Sequence, residues 1–145
     1  MLRLAQSKDK IKVLQLLFRF HEYSQHEISL NYNKLSEEFD KMVENSGCFL
    51  LVREENNNIV GILCASFMQP LFSTEVIAIE YAWFIDEEYR GSVQSIKMVR
   101  KYEQWAKENG ASFVMMADIQ GMGDLSGLYE RLGYTLSEQS YIKRI

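Results

Sequence analysis

The chain has 145 residues, of which 47% are hydrophobic and 25% are charged, and its net charge at pH 7 is −4. This length and composition predict a single globular domain over residues 1–145 that needs neither a disulfide nor a metal to fold. The acidic balance argues against nucleic acid or an anionic membrane as a partner, because both favour basic patches. No apolar stretch has the length of a membrane span or a signal peptide, so we expect a cytoplasmic protein.

The cysteines and histidines give no metal-binding pattern. Cys48 and Cys64 lie in apolar stretches, which is typical of buried thiols in an intracellular protein. No Cys or His spacing resembles a zinc site. We therefore expect a protein without a metal.

The first part of the chain predicts a short strand and two amphipathic helices. Residues 2–5 can form the strand, and Ser7 can cap a helix whose apolar residues recur at helical spacing to about residue 21. A second apolar face at the same spacing predicts a helix over residues 33–45.

Three strands are expected next. The apolar runs 48–53 and 59–68 flank an asparagine turn at 56–58, and Asn tolerates left-handed backbone, so the pair is predicted to form a hairpin. The run 76–85 is apolar on both faces, which favours a central strand covered on both sides.

The remaining elements alternate between helices and strands. A helix is predicted to end at Asn109-Gly110, a strand to span 112–117, and a short helix to start after Asp124 and end at Gly133. Residues 134–145 can form one or two final strands. The pattern predicts an α/β (α+β) domain with a mixed sheet and helices on its faces.

The junction between strand 76–85 and the following helix predicts an anion site. The first N–H groups of a helix have no partner within the helix, and together with the helix dipole they attract phosphate. Arg90 adds positive charge there. Since many such junctions bind nothing, a ligand site and an ordinary loop are both open at this point.

Two segments of the chain resemble the GNAT acetyltransferases. Residues 89–95, Tyr-Arg-Gly-Ser-Val-Gln-Ser, resemble the acyl-CoA-binding loop of that family, which reads Gln or Arg, two residues, Gly, one residue, and Gly or Ala. Arg90 takes the first position, whereas Val93 and Ser95 stand at the other two. Residues 128–134, Leu-Tyr-Glu-Arg-Leu-Gly-Tyr, resemble the family's C-terminal signature. The order of elements is similar over nearly the whole chain.

The resemblance implies a fold and a binding mode. The fold would be a mixed, mostly antiparallel sheet of six to seven strands flanked by about four helices. Loop N–H groups would hold the CoA diphosphate, and the end of strand 76–85 would pair with the pantetheine amides as an added strand does. The cofactor-binding residues implied in this way are Phe84, Ile85, Arg90, Gly91, Ser92, Val93, Gln94, Ser95, Ser126 and Tyr129.

Tyr129 and Glu80 are the candidate catalytic residues. The resemblance gives Tyr129 the role of the acid that protonates the leaving thiolate, with a core tyrosine that only contacts CoA as the alternative. Glu80 is the one carboxylate in the apolar run 76–85, where desolvation would raise its pKa toward that of a useful base. A glutamate that only hydrogen-bonds substrate, with a water chain as base, is the alternative.

The acceptor side and the partners follow from the same resemblance. His21, Glu22, Tyr23 and His26 lie where the family usually builds the acceptor pocket, although an ordinary surface loop would also explain them. Asp118 could orient water or the amine, and a solvated strand end is the alternative. The expected substrates are acyl-CoA, acetyl-CoA first, and a small amine or peptide amine; a homodimer is left open.

Three functions remain open from the sequence. The first is an N-acyltransferase, and the second is a CoA-binding or protein-binding module with weak or no activity, which Val93 in the loop would suit. The third is an enzyme with another nucleotide ligand. The loop lacks the Lys-Ser or Lys-Thr of a P-loop, and the chain lacks Gly-x-Gly-x-x-Gly.

Overall fold

The computed structural model describes residues 1–24, 27–119 and 123–145 of the chain. These ranges contain five strands and four α-helices. Single turns of 3₁₀ helix, Ser7–Asp9 and Glu87–Tyr89, lead into the first and third helices. The elements are β1 Leu2–Leu4, α1 Lys10–Tyr23, α2 Tyr32–Glu44, β2 Phe49–Glu55, β3 Asn58–Met68, β4 Ile77–Ile85, α3 Val93–Glu108, β5 Phe113–Met115 and α4 Ser126–Arg131.

The strands form one sheet in the order β1-β2-β3-β4-β5. All neighbours are antiparallel except β4 and β5, which are parallel. The predicted asparagine hairpin is confirmed: Asn56 and Asn57 have φ values of 49° and 64° between β2 and β3. Such positive φ values match the twist of a two-residue hairpin turn.

Helices cover both faces of the sheet. Helices α1 and α2 pack on one face, where the buried residues include Val13, Leu17, Phe39, Val52, Ile62 and Phe84. Helix α3 packs on the other, where they include Phe49, Leu63, Met98, Tyr102 and Ala106. The central strand β3 is therefore buried between two layers of helix, as its apolar sequence requires.

A bulge in β4 decides which way its side chains point. Cys64 pairs with Ala82 and Ala65 pairs with Glu80, so Tyr81 is an extra residue between the two pairs. Before the bulge Ala78 faces α3, and after it Trp83 packs against that same side. By alternation Glu80 shares the face of Ala78, so the bulge aligns Glu80 and Trp83 on one face.

The expectation of six to seven strands is wrong: the described residues form five, and residues 134–145 contain none. The apolar side chains of this segment, Leu136, Tyr141, Ile142 and Ile145, are exposed. The polar residues 137–140 between them give the segment no continuous apolar face. Without such a face, little burial offsets the entropy lost when a strand forms.

Two local details of the helices differ in how well the sequence predicted them. Ser7 opens a 3₁₀ turn rather than capping α1, because Asp9 accepts the Gln6 N–H at 2.8 Å and ends that turn. Asp124 does support the start of α4, since its carboxylate accepts the Ser126 N–H at 2.9 Å.

Of the helices in the described ranges, none combines the length and apolar character needed to span a membrane.

Candidate active site

Strands β4 and β5 separate along their length and leave a cleft. They pair only where Ile77–Ile79 meets Phe113–Met115, so the two strands splay apart beyond these pairs. A cavity of about 360 Å³ opens beyond the last pair, bounded by β4, the start of α3, the segment after β5, and α4. Its walls include most of the predicted site residues: Glu80, Phe84, Ile85, Arg90, Gly91, Ser92, Ser95 and Tyr129.

The turn before α3 brings the start of this helix to the cleft, where Ser92 and Ser95 line the wall. Gly91 has a φ of 69° and carries the chain from the 3₁₀ turn into the helix. Ser92 is the N-cap residue, but its side chain makes no capping hydrogen bond to the helix. No side chain caps the first-turn N–H groups of α3, although the Ser95 N–H donates to the Ser92 carbonyl at 3.0 Å. N–H groups at a helix start that have no such partner suit a phosphate.

Arg90 lies over the end of β4. Its Nε donates to the Ile85 carbonyl at 2.7 Å, and its guanidinium lies 5.3 Å from the Phe84 ring centre and 5.4 Å from that of Tyr23. These contacts hold a positive charge beside the strand edge and the turn. The Ile85 carbonyl, at the end of β4 that the resemblance assigns to pantetheine, is therefore already hydrogen-bonded to Arg90.

Three of the predicted cofactor-binding residues do not line the cleft. Val93 is the first residue of α3 and is 68% exposed, so its branched side chain lies in solvent and not in the cleft. Gln94 is half-buried outside the cavity wall. Ser126 is exposed, and its hydroxyl donates to Asp124 at 2.6 Å. Their roles in binding stay predictions.

Glu80 and Tyr129 meet at one residue, Ala117, just after β5. The Ala117 N–H donates to Glu80 Oε2 at 3.0 Å, and the Tyr129 hydroxyl donates to the Ala117 carbonyl at 2.7 Å. All three residues border the cavity. The two side chains that the sequence selected for proton transfer are thus brought to the same end of the cleft from β4 and α4.

The surroundings of Glu80 and Tyr129 shift both pKa values upward. Desolvation raises the pKa of Glu80 from 4.5 to about 7, although the Ala117 N–H acts in the opposite direction. Desolvation, with smaller contributions from Glu80 and Asp118, raises the pKa of Tyr129 above its usual value. At neutral pH Glu80 can therefore accept a proton, while Tyr129 keeps the proton that an acid must supply.

Trp83 and Arg53 were not selected as site residues from the sequence. Trp83 lines the cleft, and its indole Nε1 is the buried side-chain polar atom without a hydrogen-bond partner in the described part of the chain. Arg53, on β2, donates to the Tyr89 carbonyl and to the Ser92 hydroxyl at the turn before α3. Its signal was an arginine ending an apolar run, a pattern that equally fits an exposed strand end.

Three of the four predicted acceptor-side residues, His21, Glu22 and Tyr23, lie in the last turn of α1 rather than in a loop. The Tyr23 hydroxyl donates to Glu87, and its ring lies 5.6 Å from that of Phe84. His21 Nε2 is hydrogen-bonded to the Ile28 carbonyl. Glu22 borders a separate shallow pocket. His26 lies outside the described residues, and the acceptor-side role of all four residues stays a prediction.

Asp118 makes a local hydrogen bond after β5. Asp118 Oδ1 accepts the Leu125 N–H at 3.3 Å, so it supports the approach to α4. Within residues 1–24, 27–119 and 123–145, no three metal-ligating side chains cluster.

A family model described as the acetyltransferase (GNAT) family matches residues 11–134. The chain therefore belongs to the GNAT family. No curated protein matches the sequence.

Solved structures share the fold over the full chain. A transcriptional regulator from Bacillus halodurans C-125 has a TM-score of 0.82 and 19% identity, covering 100% of this chain and 99% of that one. A predicted acetyltransferase with acetyl-CoA from Clostridium acetobutylicum has a TM-score of 0.81 and 17% identity, covering 99% and 95%. The aminoglycoside 6'-N-acetyltransferase from Acinetobacter haemolyticus has a TM-score of 0.77 and 16% identity, covering 100% and 99%.

Proposed function

We propose that the chain is an N-acyltransferase that moves an acyl group, acetyl first, from acyl-CoA to a primary amine by direct attack. The observation that carries the proposal is the cleft at the β4–β5 splay, which joins an uncapped helix start to Glu80 and Tyr129. The proposal includes a cytoplasmic location and no membrane or nucleic-acid partner. The acceptor is a small amine or a peptide amine.

Binding of the donor would use backbone groups along the cleft. The diphosphate is assigned to the first N–H groups of α3, with Arg90 supplying positive charge. The pantetheine amides are assigned to the edge of β4 after Ile79, which has no β5 partner. An extended chain can pair with such a free edge as an additional strand. The predicted acetyltransferase from Clostridium acetobutylicum, whose structure is described as being with acetyl-CoA, shares this fold.

The chemical step needs two proton transfers at the far end of the cleft. Glu80 takes a proton from the acceptor amine, directly or through water, and the amine nitrogen bonds to the thioester carbon. The carbon–sulfur bond then breaks with its electron pair on sulfur, and Tyr129 donates a proton to the thiolate. Since the Tyr129 proton is shared with Ala117 in the free protein, the hydroxyl has to turn toward the sulfur.

A binding module without turnover is the second candidate. Val93 stands where the family pattern has Gly, and one structural neighbour is described as a transcriptional regulator. In this alternative the same cleft binds acyl-CoA or a protein partner, and neither Glu80 nor Tyr129 transfers a proton.

Calorimetric titration with acetyl-CoA, followed by a thiol-release assay with amines, polyamines and peptides, tests the proposal. We expect saturable binding and acceptor-dependent release of CoA. The protein without donor serves as the blank, because Cys48 is only half-buried and can react with the thiol reagent. Binding without release for every acceptor supports the binding module. No binding at millimolar acetyl-CoA contradicts the transferase and any module that binds acyl-CoA.

A further inference from the structure

Arg53 is a buried arginine that ties the sheet to the turn before α3. It is 5% exposed. One nitrogen, Nη1, donates to the Tyr89 carbonyl at 2.8 Å and to the Ser92 hydroxyl at 2.9 Å. Tyr89 and Ser92 flank Arg90 and Gly91, so Arg53 holds both ends of this four-residue turn. Its guanidinium also lies 5.6 Å from the centre of the Tyr89 ring.

The burial of Arg53 is not explained by its ion pair. Its Nε donates to Glu55 at 2.8 Å, and Glu55 lies toward solvent. Arg3 on the neighbouring strand, by comparison, pairs with two carboxylates, Asp9 and Glu54. Because removing a guanidinium from water is costly, a buried ion pair by itself adds little stability. The remaining hydrogen bonds of Arg53 all go to the turn.

The sheet makes room for this side chain at Gly61. Gly61 pairs with Arg53 in the register of β2 and β3. A Cβ atom at position 61 would lie 3.3 Å from Arg53 Cβ and 3.2 Å from Ile85 Cγ1. The glycine therefore leaves the space in which the arginine stem and the end of β4 pack together.

The turn needs an external support. Gly91 has a φ of 69°, and no heavy atom lies within 4 Å of the position a Cβ would take there. Its backbone is thus free to move unless the flanking residues are fixed, because glycine has a wide choice of conformations. Arg53 donates to Tyr89 and Ser92, the residues at the two ends of the turn.

We propose that Arg53 is a positioning residue that holds the turn 89–92 in the conformation that presents the first N–H groups of α3 to the diphosphate of acyl-CoA. This inference rests on the proposed function. It explains why a charged residue on β2, a strand that does not line the cleft, points at the helix start. Preorganised donors bind an anion more tightly, since no ordering cost remains at the moment of binding.

Titration of Arg53→Met with CoA and with pantetheine, which lacks the diphosphate and the nucleotide, tests the inference. Binding is followed by tryptophan fluorescence, since Trp83 lines the cleft. Loss of charge-assisted hydrogen bonds at the turn should weaken CoA binding by about tenfold to a hundredfold. Pantetheine binding should not change. Arg53→Lys keeps the charge without the planar fork and should fail to restore CoA affinity.

Arg3→Met is the matched control, because it removes another arginine of the sheet that is paired to carboxylates but does not touch the turn. It should leave both affinities unchanged. Equal losses for CoA and pantetheine, full CoA affinity in Arg53→Met, or full affinity in Arg53→Lys would each overturn the positioning role. If Arg53→Met does not fold, Arg53→Lys decides the question alone. A wild-type protein that binds no CoA contradicts the proposed function instead.

Discussion

Glu80 shows how a single residue acquires a useful pKa from its place in a sheet. Because of the bulge at Tyr81, Glu80 and Trp83 both lie on the α3 side of β4, where they border the cleft. There the loss of water raises the pKa of Glu80 to about 7. The hydrogen bond from the Ala117 N–H favours the ionised form and acts in the opposite direction. A carboxylate with a pKa near the working pH suits a general base.

The raised pKa of Glu80 makes stability depend on pH. Because its pKa is about 7 in the folded protein against a reference of 4.5, the folded state binds the extra proton over this range. The contribution of Glu80 to the free energy of unfolding is therefore present below pH 4.5 and lost as the pH rises to 7. The loss should be at most about 3 kcal/mol.

Chemical denaturation at several pH values measures this loss in wild type and in Glu80→Gln. The Gln variant should lack this decrease, and its pH–rate profile should lose the rise near pH 7. Glu130→Gln, a change at an exposed carboxylate of α4, is the control and should follow wild type. The same pH dependence in Glu80→Gln and wild type would remove Glu80 from both roles.

Tyr129→Phe isolates the hydroxyl that donates to Ala117. A general acid contributes about a hundredfold to ten-thousandfold to rate, so we expect thiol release to fall within that range while the Kd for acetyl-CoA changes little. Steady-state kinetics with calorimetry measures both quantities. Tyr102→Phe is the matched control, since that buried tyrosine donates to the Met115 carbonyl away from the cleft. Unchanged turnover in Tyr129→Phe would contradict the acid role.

At the scale of elements, the site depends on how β3, β4 and the turn before α3 fit together. The sheet brings Arg53, Gly61 and Ile85 side by side on adjacent strands. The side chains of Arg53 and Ile85 then pack over a position without a side chain. The helix start and the end of β4 are held to the sheet at this point.

Gly61→Ala should disturb that fit. Its Cβ would come within 3.2 Å of Ile85 and 3.3 Å of Arg53, and such overpacking typically costs about 1–3 kcal/mol. Chemical denaturation measures the change in the free energy of unfolding. Gly127→Ala is the control, because its Cβ would lie at an ordinary 3.7 Å from Arg131. A Gly61→Ala protein as stable as wild type would show that the strands can shift without cost.

At the scale of the whole molecule, the five strands and four α-helices of the described ranges enclose the core without residues 135–145. These residues are exposed. Tyr134 is half-buried and donates to Glu103 of α3 at 3.1 Å, so the packed part of the chain extends to that residue. Beyond it, Arg144 contacts Glu27 at the surface.

A chain that ends at Leu136 should therefore keep nearly full stability. Loss of exposed contacts of this kind usually changes the free energy of unfolding by about 0.5 kcal/mol or less. Thermal unfolding of the truncated and full chains measures the difference, with a chain ending at Leu132 as the control that also loses Tyr134. A large drop in Tm for the chain ending at Leu136 would indicate that the C-terminal segment adds to the sheet in solution.

The sequence by itself determined the local elements and the general position of the site. The asparagine hairpin, the helix over 93–108 and the strand-to-helix turn at Arg90 and Gly91 are specified by neighbouring residues, because propensity, periodicity and turn chemistry act within a few positions. Glu80 was also recognisable, since a lone carboxylate in an apolar strand is uncommon.

Only the tertiary structure decided how distant parts of the chain combine. The bulge that aligns Glu80 with Trp83 is a property of the register between two strands. The contact of Glu80 with Ala117, and the reach of Arg53 to Tyr89 and Ser92, join residues 36 or more positions apart. Such contacts depend on which strands become neighbours and on the side-chain space between them, so no local pattern encodes them.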